Sequence, residues 1–534
     1  MGRGSARPAE PAPTQRGAPV TASPVAPRTL LGLPVDGRPV VREQVQALVQ
    51  VAGWQLRLPE VAALGHLRRP ADRDALRLWL LDEAPAAAGL VLSLDMLLYG
   101  GLVPSRFIDD SPAALAARLE TLVELKRRHP GTPLFAFAAT MRISNNDVAE
   151  EEKPYWAAHG RQLWLWSHEL DRHACTGDPE ALRAAAEAEA AIPEAVRADY
   201  RATRARNHAL TLQALELVDQ GVIDRLVLPQ DDTAAHGFNI AERRALQQRV
   251  AARGLSDRVL IYPGADEVLH TLCAHLVARL EQRPALRVAI TASDPAGLAQ
   301  MQARYEDRPV LQSVAAQVAA VGGRLVEDRR EADLLLAVHT QGAVQGDWAM
   351  QIPLPLASRG PGEPWLEELA AWQRGGGALA VADLAYANGG DPLLLEALAA
   401  TLPLPSLAAY AGWNTASNTL GSALAQAVLA QGALATPAHQ RNLALRLAED
   451  LLYQAVWRQV LRIGHEAVVR DGGHTPQSLR ALVAALFTGP ANAWLQQHGL
   501  GWRVCEVSLP WDRSFEIGLR MAPTVSPEGE PSSA

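Results

Sequence analysis

The sequence predicts an α/β protein with a (β/α) barrel-like parallel core, a helical insertion, an inserted flavodoxin-like α/β unit and a mainly helical C-terminal region. From Leu30 onward, short apolar runs alternate with helical patterns. The runs are almost continuously apolar, which is typical of strands buried on both faces of a parallel sheet. Between about residues 154 and 221 a long, Ala-rich helical stretch interrupts this alternation.

The first part of the chain, residues 29–280, is predicted to form most of the barrel-like core. Its first four strands are expected in LLGLPV, WQLRLP, AGLVLSLD and LFAFAAT. Helices are expected at about residues 41–51 and within ADRDALRLWLLDEA and AALAARLETLVELKRR. After the helical insertion, strands resume in DRLVLPQDD and RVLIYPGADE. Strands alternating with helices in this way predict parallel pairing.

Residues 281–345 are predicted to form the flavodoxin-like unit, and residues 346–430 the remainder of the core. The unit contains the strand patterns LRVAITAS, RLVED and ADLLLAVHTQ and the helix SVAAQVAAVGG. The remainder contains GGALAVADLAYANGGD and LAAYAGWNTASNTLG, with the helix LLLEALAATL between them. About ten to eleven strands exceed the eight of a plain barrel, so three are assigned to an insertion.

The ends of the chain are predicted to differ from the middle. Residues 1–28 and 522–534 lack the apolar spacing needed to offset the entropy of ordering, so a disordered arm and a disordered tail are expected. Residues 431–521 are expected to be helical with a closing strand in VCEVSLP. The following segment, PWDRSFE at residues 510–516, is interpreted as a structural return onto the main domain, with Trp511 and Phe515 as anchors. Arg513 and Glu516 are expected to be its satisfied polar partners.

Composition excludes several classes of partner. The net charge is −8, and no run of Lys and Arg stands out, which argues against nucleic acid. No apolar run approaches the roughly 20 residues that span a bilayer, so no membrane association is expected. The three cysteines, without a CxxC pair, favour a cytoplasmic location. A small-molecule partner, expected to be a sugar, remains.

Polar side chains follow most of the predicted strands. In parallel α/β folds the loops beyond the carboxyl ends of the strands hold ligands, so these side chains are expected to converge on one cleft. The candidates are Asp36, Arg38, Asp95, Arg142, Asn145, Asp231, Asp232, Asp266, Glu267, Asp383, Tyr386, Asn388, Asn414 and Asn418.

Asp231 and Asp232 are adjacent carboxylates at the end of an apolar run. One interpretation is structural, because Asp232 and Thr233 could cap the helix that follows. The other is catalytic, because two neighbouring ionised carboxylates at a buried strand end repel unless a proton, a cation or a substrate relieves them.

Several motifs together resemble a known family. They are LPVDGRP, SLDMLLYGGLVPSR, MRISNND followed by EEEKPYWAAHG, LPQDDTAAHGFN, YPGADEV, RYEDRPV, ADLAYANGGD and AGWNTASNTLG. They resemble successive blocks of the bacterial domain-of-unknown-function 4127 family over about residues 29–520. The resemblance implies a family and no reaction.

No cofactor and no resident metal are predicted. There is no GxxxxGK[ST] loop for a nucleotide and no GxSxG elbow for a nucleophilic serine. His270 and His275 are five residues apart on a predicted helix, so they do not share a face, and His339 is interpreted as a structural or hydrogen-bonding residue. A Mg²⁺ or Mn²⁺ site built from Asp231, Asp232 and Glu267 is chemically acceptable and stays open.

The favoured function is glycoside hydrolysis of a small sugar or amino-sugar conjugate. Asp231, Asp232 and Glu267 are the predicted catalytic acids, and Trp413 or Tyr386 is expected to stack on a sugar ring. Two alternatives stay open. One is a non-catalytic protein that binds or senses a small metabolite by closing two lobes, and the other is a metal-dependent hydrolase that uses the same acids.

Overall fold

The computed structural model describes residues 1–2, 28–355, 358–466 and 473–524. A six-stranded sheet, in which every pairing is parallel, forms the first half of the fold. Its strands are β1 (Thr29–Leu33), β2 (Gln55–Arg57), β3 (Gly89–Ser93), β4 (Leu134–Phe137), β5 (Arg225–Gln230) and β6 (Val259–Pro263). They lie in the order β2-β1-β3-β4-β5-β6.

Helices connect these strands and cover both faces of the sheet. Side-chain caps begin several of them, since Ser93 and Ser111 each accept a hydrogen bond from the backbone three residues later. The helices are α1 (Glu43–Val51), α2 (Arg73–Glu83), α3 (Leu94–Tyr99), α4 (Pro112–Arg128), α5 (Trp156–Thr176), α6 (Pro179–Ala190), α7 (Glu194–Asp219), α8 (Phe238–Ala252) and α9 (Val268–Leu280). Helices α5, α6 and α7 lie within the stretch expected to be a helical insertion.

A second sheet, of five parallel strands, forms the other half. The strands of this part are β7 (Arg287–Ala292), β8 (Arg324–Leu325), β9 (Leu334–His339), β10 (Gly346–Asp347), β11 (Ala378–Asp383), β12 (Tyr386–Ala387) and β13 (Ala409–Ala411). The sheet order is β13-β11-β9-β7-β8, and β10 pairs with β12 beside it. The helices are α10 (Pro295–Gln300), α11 (Val310–Ala320), α12 (Glu363–Arg374), α13 (Pro392–Thr401) and α14 (Ala416–Leu429).

The barrel-like arrangement predicted from the sequence is not confirmed. Both sheets are open, and each places its second strand at an edge, next to its first, in the order typical of flavodoxin-like folds. Strands β11 and β13, assigned by the sequence to the barrel, instead extend the sheet of β7 and β9, because β11 pairs with β9 and β13 pairs with β11. Apolar runs of this kind satisfy a barrel and an open parallel sheet equally well, which is why the sequence pattern did not separate them.

The two sheets share one hydrophobic core. Helix α9, which follows the last strand of the first sheet, packs against α14, which follows the last strand of the second. Buried side chains of both helices belong to the same cluster, including Leu272, Leu276, Leu420 and Leu424. This shared layer fixes the carboxyl ends of the two sets of strands relative to one another.

The C-terminal region packs against the second sheet. Helix α15 (Pro437–Arg446) continues through π-helical turns at Leu447–Trp457, then α16 (Arg458–Leu461) and a further π-helical turn at Arg462–Glu466. Helix α17 (Pro476–Gln497) leads into an antiparallel hairpin of β14 (Trp502–Ser508) and β15 (Gly518–Pro523). Short 3₁₀ turns occur at Pro39–Val41, Val61–Leu64, Ala84–Ala86, Pro104–Arg106, Arg329–Glu331 and Leu404–Ser406.

The predicted ends of the chain need one correction. Ala522 and Pro523, assigned to the disordered tail, lie in β15, where they pair with Arg503 and Trp502. The strand partner supplies the order that the tail's composition did not predict. Most of the predicted arm (residues 3–27) and of the tail (residues 525–534) lies outside the described residues. Within the described part of the chain, no helix combines the length and apolar character that crossing a membrane requires.

The central position of β9 predicts a large effect of a core deletion. Leu336 is fully buried in β9, so Leu336→Ala is expected to lower the free energy of unfolding by about 2–5 kcal/mol. Leu325 lies in the edge strand β8 and is 40% exposed, so Leu325→Ala is the control, with an expected loss below about 1 kcal/mol. Urea unfolding of both variants measures the difference, and equal losses would contradict the assigned strand order.

Candidate functional site

A cavity of about 270 Å³ lies where the strand ends of the two sheets meet the C-terminal hairpin. The first sheet and its loops supply Arg38, Leu102, Val103, Arg142, Ser144, Asn146, Val148, Glu150, Glu151, Asp231, Asp232 and Asp266. The second sheet and its loops supply Tyr305, Ala349, Met350, Asn388 and Asn414. The segment between β14 and β15 supplies Trp511, Arg513 and Phe515. The cavity therefore draws on three distant parts of the chain.

Asp231 and Asp232 follow β5 directly, and both line the cavity. The interpretation that they cap the next helix is wrong, because α8 begins only at Phe238. The backbone N–H of Phe238 instead donates to Oγ of Ser167 at 2.7 Å. Asp232 adopts a left-handed backbone conformation with φ of 37°, which is uncommon for a residue other than glycine. Strain of this kind is frequent at functional sites.

Each carboxylate of the pair has its own guanidinium partner. Nη2 of Arg106 donates to Asp231 at 3.1 Å, and Nη1 of Arg142 donates to Asp232 at 3.1 Å. Glu152 lies between the two arginines and accepts from each at 3.0 Å. The two aspartates are thus held apart by separate ion pairs that share one further carboxylate.

The proton affinities around the pair are shifted. Burial, and then the charge of Asp231, raises the pKa of Asp232 to about 7. Burial also raises the pKa of Asp266 to about 6, although Arg38 opposes this shift. At Glu151 the pKa shifts in the other direction. Burial favours a higher pKa, but the charges of Arg142 and Arg513 outweigh it and hold the pKa well below its usual range. The cavity thus combines a carboxyl group that can carry a proton near neutral pH with one that stays ionised.

Arg38 ties the cavity floor together. Its guanidinium donates to Asp36 at 2.8 Å, to Asp266 at 2.5 Å and to Glu516 at 3.1 Å. It also lies 4.8 Å from the centre of the Trp511 ring. These partners come from the turn after β1, the loop after β6 and the segment before β15. Asp36 therefore acts here through Arg38, which itself lines the cavity.

Glu267 and Asn418 lie behind the cavity. Glu267 accepts from Gln317 at 2.7 Å and from the backbone N–H of Ala265 at 3.0 Å, and it does not line the cavity of about 270 Å³. The side-chain oxygen of Asn418 accepts from the backbone N–H of Asp266 at 3.1 Å. Asn418, on α14, therefore holds the loop after β6 and reaches only a small adjoining cavity with Asp231 and Asp232.

The other predicted residues of the first sheet divide in the same way. Arg142 lines the cavity, whereas Asn145 is exposed and its neighbour Asn146 takes the lining position. Asp95 is buried below, where its carboxylate accepts from the backbone N–H of Ala139 at 2.9 Å. The sequence thus identified the right loop after β4 with a shift of one residue.

In the second sheet, Asn388 and Asn414 line the cavity and three predicted residues do not. Asn388 and Asn414 have φ of 59° and 58°, and Asn414 donates to Asp266 at 3.3 Å. Trp413 is fully packed, and Tyr386 stacks on Trp348 with ring centres 4.4 Å apart. Asp383 accepts from the backbone N–H of Asp391 at 2.6 Å. The stacking position predicted for Trp413 or Tyr386 is therefore not at this cavity.

Aromatic and charged lining residues missed from the sequence come mainly from residues 510–516. Arg513 pairs with Glu516 at 3.0 Å, as the structural interpretation of this segment expected. It also donates to Glu151 at 2.7 Å, and Trp511, Arg513 and Phe515 all face the cavity. The sequence signal for these lining residues is the concentration of Trp, Arg and Phe in a segment without the apolar spacing of a helix or a strand. Tyr305 and Glu151, which also line the cavity, were likewise present only as parts of family motifs.

The three acids that the sequence leaves open as a Mg²⁺ or Mn²⁺ site are not assembled as a ligand set. Among the residues that the structure describes, one group of three donors has its ligand atoms within 4.8 Å of one another, formed by Asp171, Cys175 and His236 away from the cavity. Asp231, Asp232 and Glu267 do not form such a group. Arg244 and the backbone N–H of Gly237 already bind the Asp171 carboxylate.

The burial of Asp95 predicts a pH-dependent effect on stability. Burial raises its pKa to about 7, compared with about 3.9 in an unfolded chain. Its stabilising contribution is therefore complete below about pH 4 and is lost as the pH rises through about 7. Asp95→Asn keeps an acceptor for Ala139 and removes the charge. The free energy of unfolding, measured with urea, is expected to fall less between about pH 5 and pH 8 in this variant than in the wild type.

The exposed residue Asp82 provides the control for this measurement. Asp82→Asn is expected to keep the wild-type pH dependence, because its carboxylate remains solvated in the folded state. An unchanged pH dependence in Asp95→Asn would contradict the buried position of that carboxyl group.

The comparison with protein families agrees with the motifs in the sequence. A family model described as "Protein of unknown function (DUF4127)" matches residues 30–520 of the 534-residue chain. No curated protein matches the chain. The match includes both sheets, the cavity and residues 510–516. The chain therefore belongs to the DUF4127 family.

Proposed function

We propose that the cavity lined by Asp231 and Asp232, called the first cavity from here on, hydrolyses a glycosidic bond in a small sugar or amino-sugar conjugate, with Asp232 as general acid. The observation that carries this proposal is the pair Asp231 and Asp232, adjacent in the chain, both lining one cavity and each bound by its own arginine. A pair of carboxyl groups beside the bond to be broken is the basic requirement of glycoside hydrolysis.

The proposed roles follow from the two environments. Protonated Asp232 donates its proton to the glycosidic oxygen as the bond from that oxygen to the anomeric carbon breaks. Water adds its hydroxyl to that carbon and releases its other proton to solvent, from which Asp232 regains a proton before the next turnover. Arg142, 3.1 Å away, then stabilises the carboxylate that remains. Asp231, held by Arg106, orients the substrate or stabilises the positive charge that develops on the sugar.

The lining favours a polar ligand that carries an amine. Asn146, Asn388 and Asn414 present amide groups that can bind sugar hydroxyls. The described lining also contains five carboxyl groups but three guanidinium groups. This excess of acid favours a cationic substituent, as on an amino sugar, over an anionic one. The volume of about 270 Å³ lies at the low end for ligand pockets, which fits a small substrate.

A second candidate function is binding without catalysis. The observation that favours it is that residues from both sheets line the cavity, as in proteins that close two lobes around a small metabolite. Such a protein would retain a ligand unchanged. Metal-dependent hydrolysis by the same acids is a third outcome that the experiment below separates.

Replacement of Asp232 provides the main test. Asp232→Asn is nearly isosteric, so turnover of aryl glycosides, N-acetylhexosaminides and aminohexosides included, is expected to fall by about 10²–10⁴-fold while the melting temperature changes little. Asp82→Asn is the matched control and is expected to keep wild-type turnover. Activity that survives EDTA supports the metal-free mechanism. Activity lost in EDTA would move the acids to metal ligation, and binding of a glycoside without turnover would favour the second function.

The pH profile offers a separate test of the acid. Because Asp232 must be protonated to donate, kcat is expected to fall as the pH rises through about 7. Arg142 lowers this pKa, so Arg142→Gln is expected to move the falling limb to higher pH. A limb that stays at the same pH in this variant would exclude Asp232 as the titrating group.

A further inference from the structure

A second cavity, of about 440 Å³, opens at the strand ends of the second sheet. Ser293, immediately after β7, and His339, the last residue of β9, both line it. Strands β7 and β9 are neighbours, and the strand order reverses direction at this point. In open α/β sheets, the crevice at such a reversal is the usual position of a ligand site.

Three side chains in this crevice form a continuous hydrogen-bonded chain. Oγ of Ser293 lies 2.8 Å from Nδ1 of His339, and Nε2 of His339 lies 3.1 Å from the carboxylate of Asp391. His339 and Asp391 are each about 1% exposed. Ser293 is half-buried and reaches the cavity. A hydroxyl, an imidazole and a buried carboxylate, hydrogen-bonded in this order, form the arrangement that activates a serine nucleophile.

Asp391 fixes which nitrogen of His339 carries the proton. A carboxylate accepts hydrogen bonds only, so Nε2 carries the proton that it donates to Asp391. Nδ1 is then left with a lone pair directed at the hydroxyl of Ser293. The two nitrogens are used in the opposite order from the serine proteases, where Nε2 faces the serine. Either nitrogen of an imidazole can act as the base, so the chemistry is the same.

The positions of all three groups are determined by further contacts. Asp391 accepts from the backbone N–H of Leu393 at 3.0 Å and from the side chain of Gln341. The ring of Trp365 stacks near that of His339, with centres 6.3 Å apart. The backbone N–H of Thr340 donates to Oγ of Ser293 at 3.1 Å, and its carbonyl oxygen is a second acceptor for the hydroxyl at the same distance. Little movement is therefore needed before proton transfer.

We propose that Ser293, His339 and Asp391 form a second active site, which hydrolyses an ester of an apolar acyl group. Oγ of Ser293 attacks the ester carbonyl carbon, and its proton passes to Nδ1 of His339. The bond from that carbon to the alcohol oxygen breaks, and His339 gives its proton to the departing alcohol. Water then attacks the acyl-serine in the same way, which releases the carboxylic acid and restores the serine proton.

The lining of the cavity determines the substrate class. Apolar side chains supplied by Ala343, Val344, Leu354, Pro355 and Pro361 form part of its wall. The backbone N–H groups of Ala343 and Val344 donate no hydrogen bond to another described residue, and in the proposed site they would bind the substrate carbonyl oxygen. Arg359, exposed at this cavity, provides a cation for a negatively charged leaving alcohol.

A purely structural role for the same residues makes a different prediction. Asp391 also precedes α13 and accepts from its first turn, so it stabilises the fold whether or not Ser293 reacts. A capping network does not make a serine hydroxyl nucleophilic. Covalent labelling of Ser293 in the wild-type protein therefore separates the two roles without any variant.

The experiment is labelling of the full-length protein with a fluorophosphonate probe, followed by mass spectrometry of the peptides. The expected result is a single adduct on Ser293 and hydrolysis of p-nitrophenyl butyrate. Ser293→Ala is expected to abolish both. His339→Gln and Asp391→Asn are expected to lower the labelling rate by at least about 100-fold, in protein whose circular dichroism spectrum is unchanged.

Two controls distinguish this site from its surroundings and from the glycosidase site. Ser358, whose hydroxyl accepts from Gln341 at 3.0 Å, lies close by and outside the triad, so Ser358→Ala is expected to label at the wild-type rate. Ser293 is also expected to be labelled at the wild-type rate in Asp232→Asn. This result would show that the two proposed activities are independent. Absence of an adduct on Ser293 in folded wild-type protein would overturn the proposal, as would an unchanged labelling rate in folded His339→Gln.

Discussion

The buried guanidinium group of Arg38 is the contact on which the geometry of the first cavity, the one lined by Asp231 and Asp232, depends. It binds Asp36, Asp266 and Glu516, which belong to parts of the chain separated by more than two hundred residues. Removing three carboxyl groups from water is unfavourable unless a cation is held among them in good geometry. Arg38 meets this requirement, and Arg513 adds a second cation beside Glu516. The first sheet and the C-terminal hairpin are thereby joined at one point.

Near Arg38, the cavity combines a rigidly held loop with the raised proton affinity of Asp232. Asn418 of α14 holds the backbone of the loop that carries Asp266, and α14 packs in turn against α9. The second sheet therefore fixes a loop of the first. Asp232 lies beside this fixed loop with a side chain about 30% exposed. A carboxyl group in that position can exchange a proton with a ligand while its partners stay in place.

The sequence predicted local structure and missed long-range pairing. Nearly all strands were located because buried parallel strands are continuous apolar runs. The neighbours of these strands within the sheets were not predicted, because an apolar run such as ALAVAD in β11 contains no information on which strand lies next to it. Among site residues, Asp231 and Asp232 were found because adjacent carboxylates at a strand end are rare in sequence. Trp511 and the chain from Ser293 to Asp391 were not found, because only tertiary folding brings their partners into contact.

Residues 510–516 are synthesised after all strands of both sheets, which affects when the first cavity can form. Both sheets are complete in the nascent chain before this segment leaves the ribosome, and they can begin to fold while it is still absent. At that stage water occupies the place of Trp511 and Arg513, and Arg38 has no contact with Glu516. The final degree of burial of the acids, and the raised proton affinity that comes with it, is established only when this segment docks. The first cavity is thus one of the last parts of the molecule to form, whereas the triad of the second sheet contains no residue from this segment.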